Sequence, residues 1–250
     1  MIKEISSVNN SYIKELLSLR DKNTRLEKNE FIVEGYHLVE EAYKHNMLIS
    51  VLSTDENSLN TFNVDEKYKV NDVIIKKLSS TKTPQNIIGV VKISSLVNIS
   101  ECLKNNDLRI VILDDVNDPG NLGTIIRTAA ALGFDMIISS IQTVDYYNEK
   151  VLRATQGAIF KIPLFKMNLI DAINLLKENN IKIYGTSLKS AISVTTVDKK
   201  SKLAFVLGNE ANGVSEDVFW KQTPKTLQLY VQAYNQKKHH FLYTYSFVEY

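Results

Sequence analysis

The chain has 250 residues, close to the upper limit for one hydrophobic core and equally suited to two smaller domains. With 44% hydrophobic and 23% charged residues, a formal charge of +2, 9 Gly and 4 Pro, it is neither disordered, nor fibrous, nor a strongly basic nucleic-acid coat protein. Cys102 is the only cysteine and there are 4 histidines, which excludes an intramolecular disulfide and a multi-cysteine zinc centre, so no metal is expected.

The first residues, Met1-Ile-Lys-Glu-Ile-Ser, contain no apolar signal core, and no run approaches the length of a membrane span. A cytoplasmic protein without membrane contact is expected. From Ile5 to Glu30 the spacing of Ile13, Leu16, Leu17 and Leu19 predicts a helix, followed by a polar basic elbow of Arg20, Lys22, Arg25 and Lys28. Phe31–Val33 reads as a strand and Gly35 onward as an amphipathic helix. Strands are then predicted at Ile49–Leu52, Tyr68–Val70 and Ile87–Ile93, with a helix over Val73–Leu78. Together these form a small α/β unit of about a hundred residues.

Beyond Asp107 the pattern changes. Leu108–Leu113 is a continuous apolar run, as in a strand buried on both faces of a parallel sheet. A turn-rich loop, Asp115-Val-Asn-Asp-Pro-Gly-Asn-Leu-Gly, leads into the helical stripe Ile125, Ile126, Ala129, Ala130 and Leu132, closed by Gly133. Further strands are predicted at Met136–Ile138, Ala158–Leu164, Ile181–Tyr184 and Leu203–Leu207, with helices over Asn168–Glu178 and from Ser215.

Two segments carry candidate chemistry. The loop Asp115–Gly123, with Arg127 one turn into the following helix, lies where open α/β folds bind ligands, at the C-terminal end of a buried strand. Taken alone, it reads more economically as a plain strand-to-helix connection with Asn121 as cap. The second segment, Phe205-Val-Leu-Gly-Asn-Glu-Ala-Asn-Gly-Val-Ser, ends a strand in a small-residue turn bearing Glu210; alone, it too reads as a simple turn. Neither G-x-G-x-x-G nor G-x-x-x-x-G-K-[ST] occurs, so nicotinamide and nucleotide-triphosphate chemistry lose support.

In this order the two segments are far more specific. Asp-Val-x-Asp-Pro-Gly-Asn-Leu-Gly-Thr-Ile-x-Arg-Thr-Ala followed by Leu-Gly-Asn-Glu-x-x-Gly-Val resembles the SpoU, or TrmH, family of RNA ribose 2′-O-methyltransferases. Phe31-Ile-Val-Glu-Gly-Tyr-His-Leu-Val-Glu-Glu-Ala looks like the substrate-binding domain often joined to that family's catalytic domain. Leu152-Arg-Ala-Thr-Gln-Gly-Ala-Ile-Phe-x-Ile-Pro is similar to the segment between its first two motifs.

The resemblance implies residues 1–105 as an RNA-binding α/β domain and 106–250 as an α/β-knot methyltransferase domain, a parallel sheet with a threaded C-terminal segment. It implies S-adenosyl-L-methionine as cofactor, rRNA or tRNA as substrate, and a homodimer. Carried over residue by residue, Asn121, Arg127 and Glu210 surround the reacting ribose and methyl group. Thr186, Leu207, Gly208 and Leu229 contact the cofactor, and Arg20, Lys22, Arg25 and Arg153 are candidate RNA contacts. Asp21, Glu27 and Glu30 interleave the basic elbow, which favours a salt-bridged face over an RNA contact. Family accounts make the arginine matching Arg127 the proton acceptor. A guanidinium has no free acceptor and a pKa above about 12, so binding the adjacent phosphate and stabilising the alkoxide suits it better.

The C-terminus departs from the family. The third motif, Ser-Leu-Asn-Val after a Pro and a Gly, is replaced by Gln228-Leu-Tyr-Val-Gln-Ala-Tyr-Asn-Gln-Lys-Lys-His-His, with Gln228 where Pro and Val231 where Gly should stand. Residues 1–220 sum to −1 and residues 221–250, with 4 basic and 1 acidic side chains, to +3, so the basic excess lies wholly in this tail and does not argue for RNA binding. The expectation is that residues 226–250 are out of frame or degenerate, leaving knot, dimer and cofactor site impaired. An RNA-binding protein with reduced or lost transferase activity is therefore the alternative to the enzyme.

Overall fold

A computed structural model describes residues 1–93, 98–187, 192–193, 202–218 and 225–228. In chain order, the elements up to residue 92 are β1 (Ile2–Ile5), α1 (Ser11–Ser18), α2 (Lys22–Lys28), β2 (Glu30–Glu34), α3 (Tyr36–Lys44), β3 (Leu48–Ser53), α4 (Glu56–Asn60), β4 (Glu66–Val70), α5 (Asp72–Leu78) and β5 (Ile87–Lys92). There follow α6 (Ile99–Cys102), β6 (Arg109–Leu113), α7 (Pro119–Ala131), β7 (Met136–Ser139), α8 (Glu149–Thr155), a short 3-10 turn (Ala158–Phe160), β8 (Leu164–Lys166) and α9 (Leu169–Glu178). β9 (Lys182–Ser187), β10 (Ile192–Ser193), β11 (Leu203–Leu207) and β12 (Lys225–Gln228) complete the described elements.

Two compact units result. One comprises Met1–Asn98 together with Asp145–Lys161, the other Ile99–Val144 and the chain from Ile162 onward. The sequence places residues 145–161 with the second domain, whereas here they cluster with the first unit. The cause is side-chain chemistry that does not show in local pattern. Phe31 packs against Tyr147 and Phe160, Glu41 bonds Lys161 at 2.8 Å, and Asp145 pairs with Arg25.

The first unit is built on a mixed sheet ordered β1-β4-β3-β5-β2, with β5 antiparallel to β2 and β3 and the remaining pairs parallel. Ile13, Leu16, Leu52, Ile74, Ile75 and Ile88 form the centre of one core. The predicted opening helix is α1, and the basic elbow after it is itself helical over Lys22–Lys28, because Asp21 caps α2 by accepting from the Thr24 amide. Asn10 likewise caps α1, and β1 precedes it.

The second unit carries a sheet ordered β10-β12-β9-β11-β6-β7-β8 in which every described pair is parallel. Strands β6, β7 and β11 are almost wholly buried, as their unbroken apolar runs require of strands covered on both faces. Ile110, Ile112, Met136, Ile138, Ile173 and Leu176 form its core. The strand expected over Ala158–Leu164 begins instead at Leu164, because Gly157, at φ +81°, turns the chain into the 3-10 turn.

From β6 the chain passes through α7 to β7 on one side; from β11 it continues to β12, which lies on the other side beyond β9. The gap between the C-terminal ends of β6 and β11 is therefore a topological switch point, where open parallel sheets leave a crevice. Among the described residues no helix is long and apolar enough to cross a membrane.

Candidate active site

Both candidate segments emerge at that switch point. The loop after β6 ends at Asp118, whose carboxylate accepts from the Asn121 amide at 2.8 Å and so starts α7, with Pro119 in the first turn where its missing N–H costs nothing. The cap is therefore Asp118 rather than Asn121. This frees the Asn121 side chain, whose Nδ2 donates to Glu210 Oε1 at 3.1 Å.

Glu210 is the clasp between the two segments. Its Oε1 also accepts from the Asp118 amide at 3.1 Å, and its Oε2 from the Asn117 amide at 3.3 Å. One carboxylate thus satisfies backbone donors at a helix start, where negative charge is favoured. Neighbouring bonds reinforce the clasp: Asn209 Nδ2 donates to the Asp115 carbonyl at 2.8 Å, and the Ser215 amide to Asp114 Oδ2 at 2.7 Å. Asp114 is only 4% exposed.

Asp115 adopts a left-handed backbone, φ +56°, a conformation that few side chains tolerate and that Asp accepts more readily than most. Its Oδ1 accepts from Ser140 Oγ at 2.6 Å, its amide donates to the same oxygen at 3.1 Å, and Thr143 Oγ1 lies 2.9 Å from Ser140 Oγ. Asp115 and Asn209 belong to the two motifs but have no role assigned by them, and Asp114 and Ser140 lie outside both. For Asp114 the hint in the sequence is the adjacent acidic pair at the end of an apolar strand.

The turn after β11 is closed backbone on backbone. Asn209 and Gly213 exchange two N–H···O bonds of 2.9 Å, and a Cβ on Gly208 would stand 2.0 Å from the Gly213 carbonyl carbon. Leu207 is buried, and its carbonyl accepts from the Asp114 amide at 2.8 Å. Thr186, near the end of β9, donates its hydroxyl to the Val206 carbonyl at 2.8 Å, so that hydroxyl is engaged within the sheet. Leu229 lies outside the described residues. Arg127 is exposed on α7 with no hydrogen-bond or ion-pair partner among the described residues.

The candidate RNA contacts all fall in the first unit. Arg25 does not belong to an exposed basic face: it is 8% exposed, its guanidinium donating to the Leu19 and Arg20 carbonyls at 2.8 Å and pairing with Asp145. Burying a charge requires this degree of pairing. Lys28 is engaged by Glu15, and Arg20 donates to the Lys77 carbonyl at 2.9 Å. Arg153 donates to Ser80 Oγ at 2.8 Å, while Lys22 is exposed. Among the described residues no group of three or more His, Cys, Asp and Glu side chains is arranged for a metal ion.

Comparison with known proteins matches residues 108–234 to the SpoU rRNA Methylase family. The chain belongs to the SpoU rRNA methylase family. Residues 10–89 of this SpoU chain match the MRM3-like substrate binding domain. A relative, the 23S rRNA (guanosine(2553)-2'-O)-methyltransferase RlmP of Bacillus subtilis (strain 168), is 32% identical over 238 residues, covering 94% of this chain and 92% of the relative. Among solved structures, an AdoMet-bound rRNA methyltransferase from Sinorhizobium meliloti is 27% identical with a TM-score of 0.81, covering 96% of this chain and 92% of that one. A TrmH-family putative RNA methyltransferase from Porphyromonas gingivalis, 24% identical with a TM-score of 0.79 and 93% coverage of both chains, shares the fold.

Proposed function

We propose that this SpoU protein transfers a methyl group from S-adenosylmethionine to a ribose 2′-hydroxyl of ribosomal RNA. The observation that carries the reading is the Glu210 clasp, which joins the two family motifs at the switch point between β6 and β11. The RlmP relative favours a guanosine of 23S rRNA as the target.

The strand-end residues suit the cofactor chemically. Thr186, Leu207 and Gly208 present uncharged backbone at the ends of adjacent parallel strands, matching the neutral adenosine portion of the molecule. When bound, the cofactor supplies an electrophilic sulfonium methyl for the ribose oxygen. The protein's part is alignment and charge. Asn121, with its Oδ1 uncommitted to the Glu210 contact, orients the 2′-hydroxyl, and alignment of this kind can supply much of the barrier reduction. Arg127 binds the phosphate beside the reacting ribose and stabilises the developing alkoxide, while the proton leaves to water or phosphate. Glu210 acts through the loop it holds, as a positioning residue.

A homodimer, a threaded C-terminus and a cytoplasmic site of action follow family habit. The first unit grips RNA through Arg20, Lys22 and Arg153, with Arg25 serving structure instead. One observation favours a second reading, an RNA-binding protein without transfer: the chain after Gln228 lacks the Ser and Asn of the third motif. Incubation of the protein with tritiated S-adenosylmethionine and unmodified 23S rRNA separates the readings. Label in a ribose 2′-O-methyl group is expected; RNA retention without label would establish the second reading.

A further inference from the structure

The first unit contains a cavity of about 450 Å³ whose lining includes Leu17, Ile32 and Leu78 together with Tyr147, Asn148 and Glu149. The volume suits one nucleotide and is too small for a duplex, lying at the lower end of the range of roughly 300–1,000 Å³ for small-ligand sites. Its lining is mixed in a way that core voids are not: Arg20, Arg25 and Ser80 also reach it.

The state of each polar group determines what would fit. Arg25 gives Nη1 to two carbonyls and Nη2 to Asp145, while its Nε is buried without a hydrogen-bond partner. Arg20 is exposed and tethered through Nη2 to the Lys77 and Ser79 carbonyls, at 2.9 and 3.3 Å, so its plane is held while Nη1 and Nε remain available to an anion. Asn148 Oδ1 accepts from the Lys150 amide at 2.9 Å, which leaves Nδ2 as a donor. Glu149 is exposed, and its carboxylate has no hydrogen-bond or ion-pair partner among the described residues. Tyr147 is half-buried beside Phe31; burial, with Asp145 nearby, pushes its hydroxyl up to about 12, so the ring stays neutral beside a polyanion.

A donor amide next to an acceptor carboxylate is complementary to guanine, which presents an O6 acceptor beside N1–H and N2–H donors. Adenine would turn the N1 lone pair toward the carboxylate. Single-stranded RNA is read in this manner, with the base removed from its stack and held between apolar or aromatic groups. We propose that this cavity holds the base of one unstacked guanine nucleotide of the RNA substrate, with Glu149 accepting from N1–H and N2–H, Asn148 donating to O6, and Arg20 on the flanking phosphate. The proposal rests on the RNA-substrate reading above, and Tyr147, Asn148 and Glu149 lie outside the matched substrate-binding region of residues 10–89.

The test is equilibrium titration of the intact protein with the pentanucleotides UUGUU and UUAUU and with guanosine 5′-monophosphate. The guanine oligonucleotide should bind about tenfold more tightly than its adenine counterpart, the preference expected of one good bidentate contact. In Glu149→Gln that preference should fall to within about twofold on the same scale, with the melting temperature unchanged because the side chain is exposed. Equal affinity for the two oligonucleotides, or an undiminished preference in Glu149→Gln, would overturn the proposal. So would the mononucleotide binding as tightly as UUGUU, which would make this a free-nucleotide site. Methyl transfer is measured separately: a Glu149-dependent guanine preference without label would defeat the transferase reading and still support this one.

Discussion

At the scale of single residues, the proposed roles separate groups that would touch the reaction from groups that would place them. Arg127 is exposed and unengaged among the described residues, which leaves its guanidinium open to the phosphate contact proposed for it. Lysine keeps the charge but not the planar fork, so Arg127→Lys should lower kcat/KM by at least about tenfold, with S-adenosylmethionine affinity unaltered by calorimetry. A fully active variant would remove the bidentate role. Glu210 behaves differently, because its carboxylate oxygens are already taken by Asn117, Asp118 and Asn121. If it positions that loop, Glu210→Ala should reduce kcat by about a hundredfold, the scale of a misplacement near 1 Å. Glu210→Gln keeps an acceptor and should recover much of that loss in steady-state kinetics. A glutamine variant as inactive as alanine would indicate that the charge itself takes part.

At the scale of elements, the site depends on how two strand ends are terminated. The buried strands β6 and β11 would be ordinary sheet but for the turns at their C-terminal ends. After β6, Asp115 turns the chain left-handed and Asp118 starts α7. After β11, the turn doubles back so tightly that Gly208 has no room for a Cβ, with Val214 N at 2.1 Å from it. Gly208→Ala must therefore open the turn and displace Glu210. Its far-UV circular dichroism should match the parent, since the sheet core lies elsewhere, whereas S-adenosylmethionine binding and transfer should both be lost. Retained binding would show that the turn does not shape the cofactor site.

At the scale of the whole molecule, residues 145–161 join the first unit through buried polar ties as well as aromatic packing. Glu41, 7% exposed, bonds Lys161 at 2.8 Å and Lys44 at 3.4 Å, and Gly157 leaves the space that Glu41 fills. The Lys161 hydrogen bond, opposed by burial and assisted by Lys44, holds the Glu41 carboxyl below its ordinary value of 4.5. A carboxyl whose pKa is lower in the folded than in the unfolded state contributes stability above its unfolded pKa and loses it as pH falls through the folded one. The parent protein should therefore melt higher than Glu41→Gln at pH 7, and that advantage should shrink steadily below about pH 4.5. A difference in melting temperature that stays constant across this range would deny the pair any role in acid sensitivity.

Much of this protein is written locally. The apolar run Leu108–Leu113, the helical stripe from Ile125, the Gly133 stop and the order of the two motifs identify a parallel α/β unit and its family, because buried strands and amphipathic helices leave periodic marks in sequence. The catalytic candidates Asn121, Arg127 and Glu210 are legible only through the family resemblance of the two motifs that hold them. The clasp between Glu210 and the first loop is not, since two of its three partners are backbone amides that have no identity in a sequence. Nor is the fate of Arg25, whose charge reads as surface until Asp145 and two carbonyls are found around it. The segment 145–161 that leaves its neighbours in sequence and the cavity beside Tyr147 depend likewise on contacts between distant residues. Local propensity marks the elements; pairing across the chain decides which polar groups are consumed by structure and which remain available for chemistry.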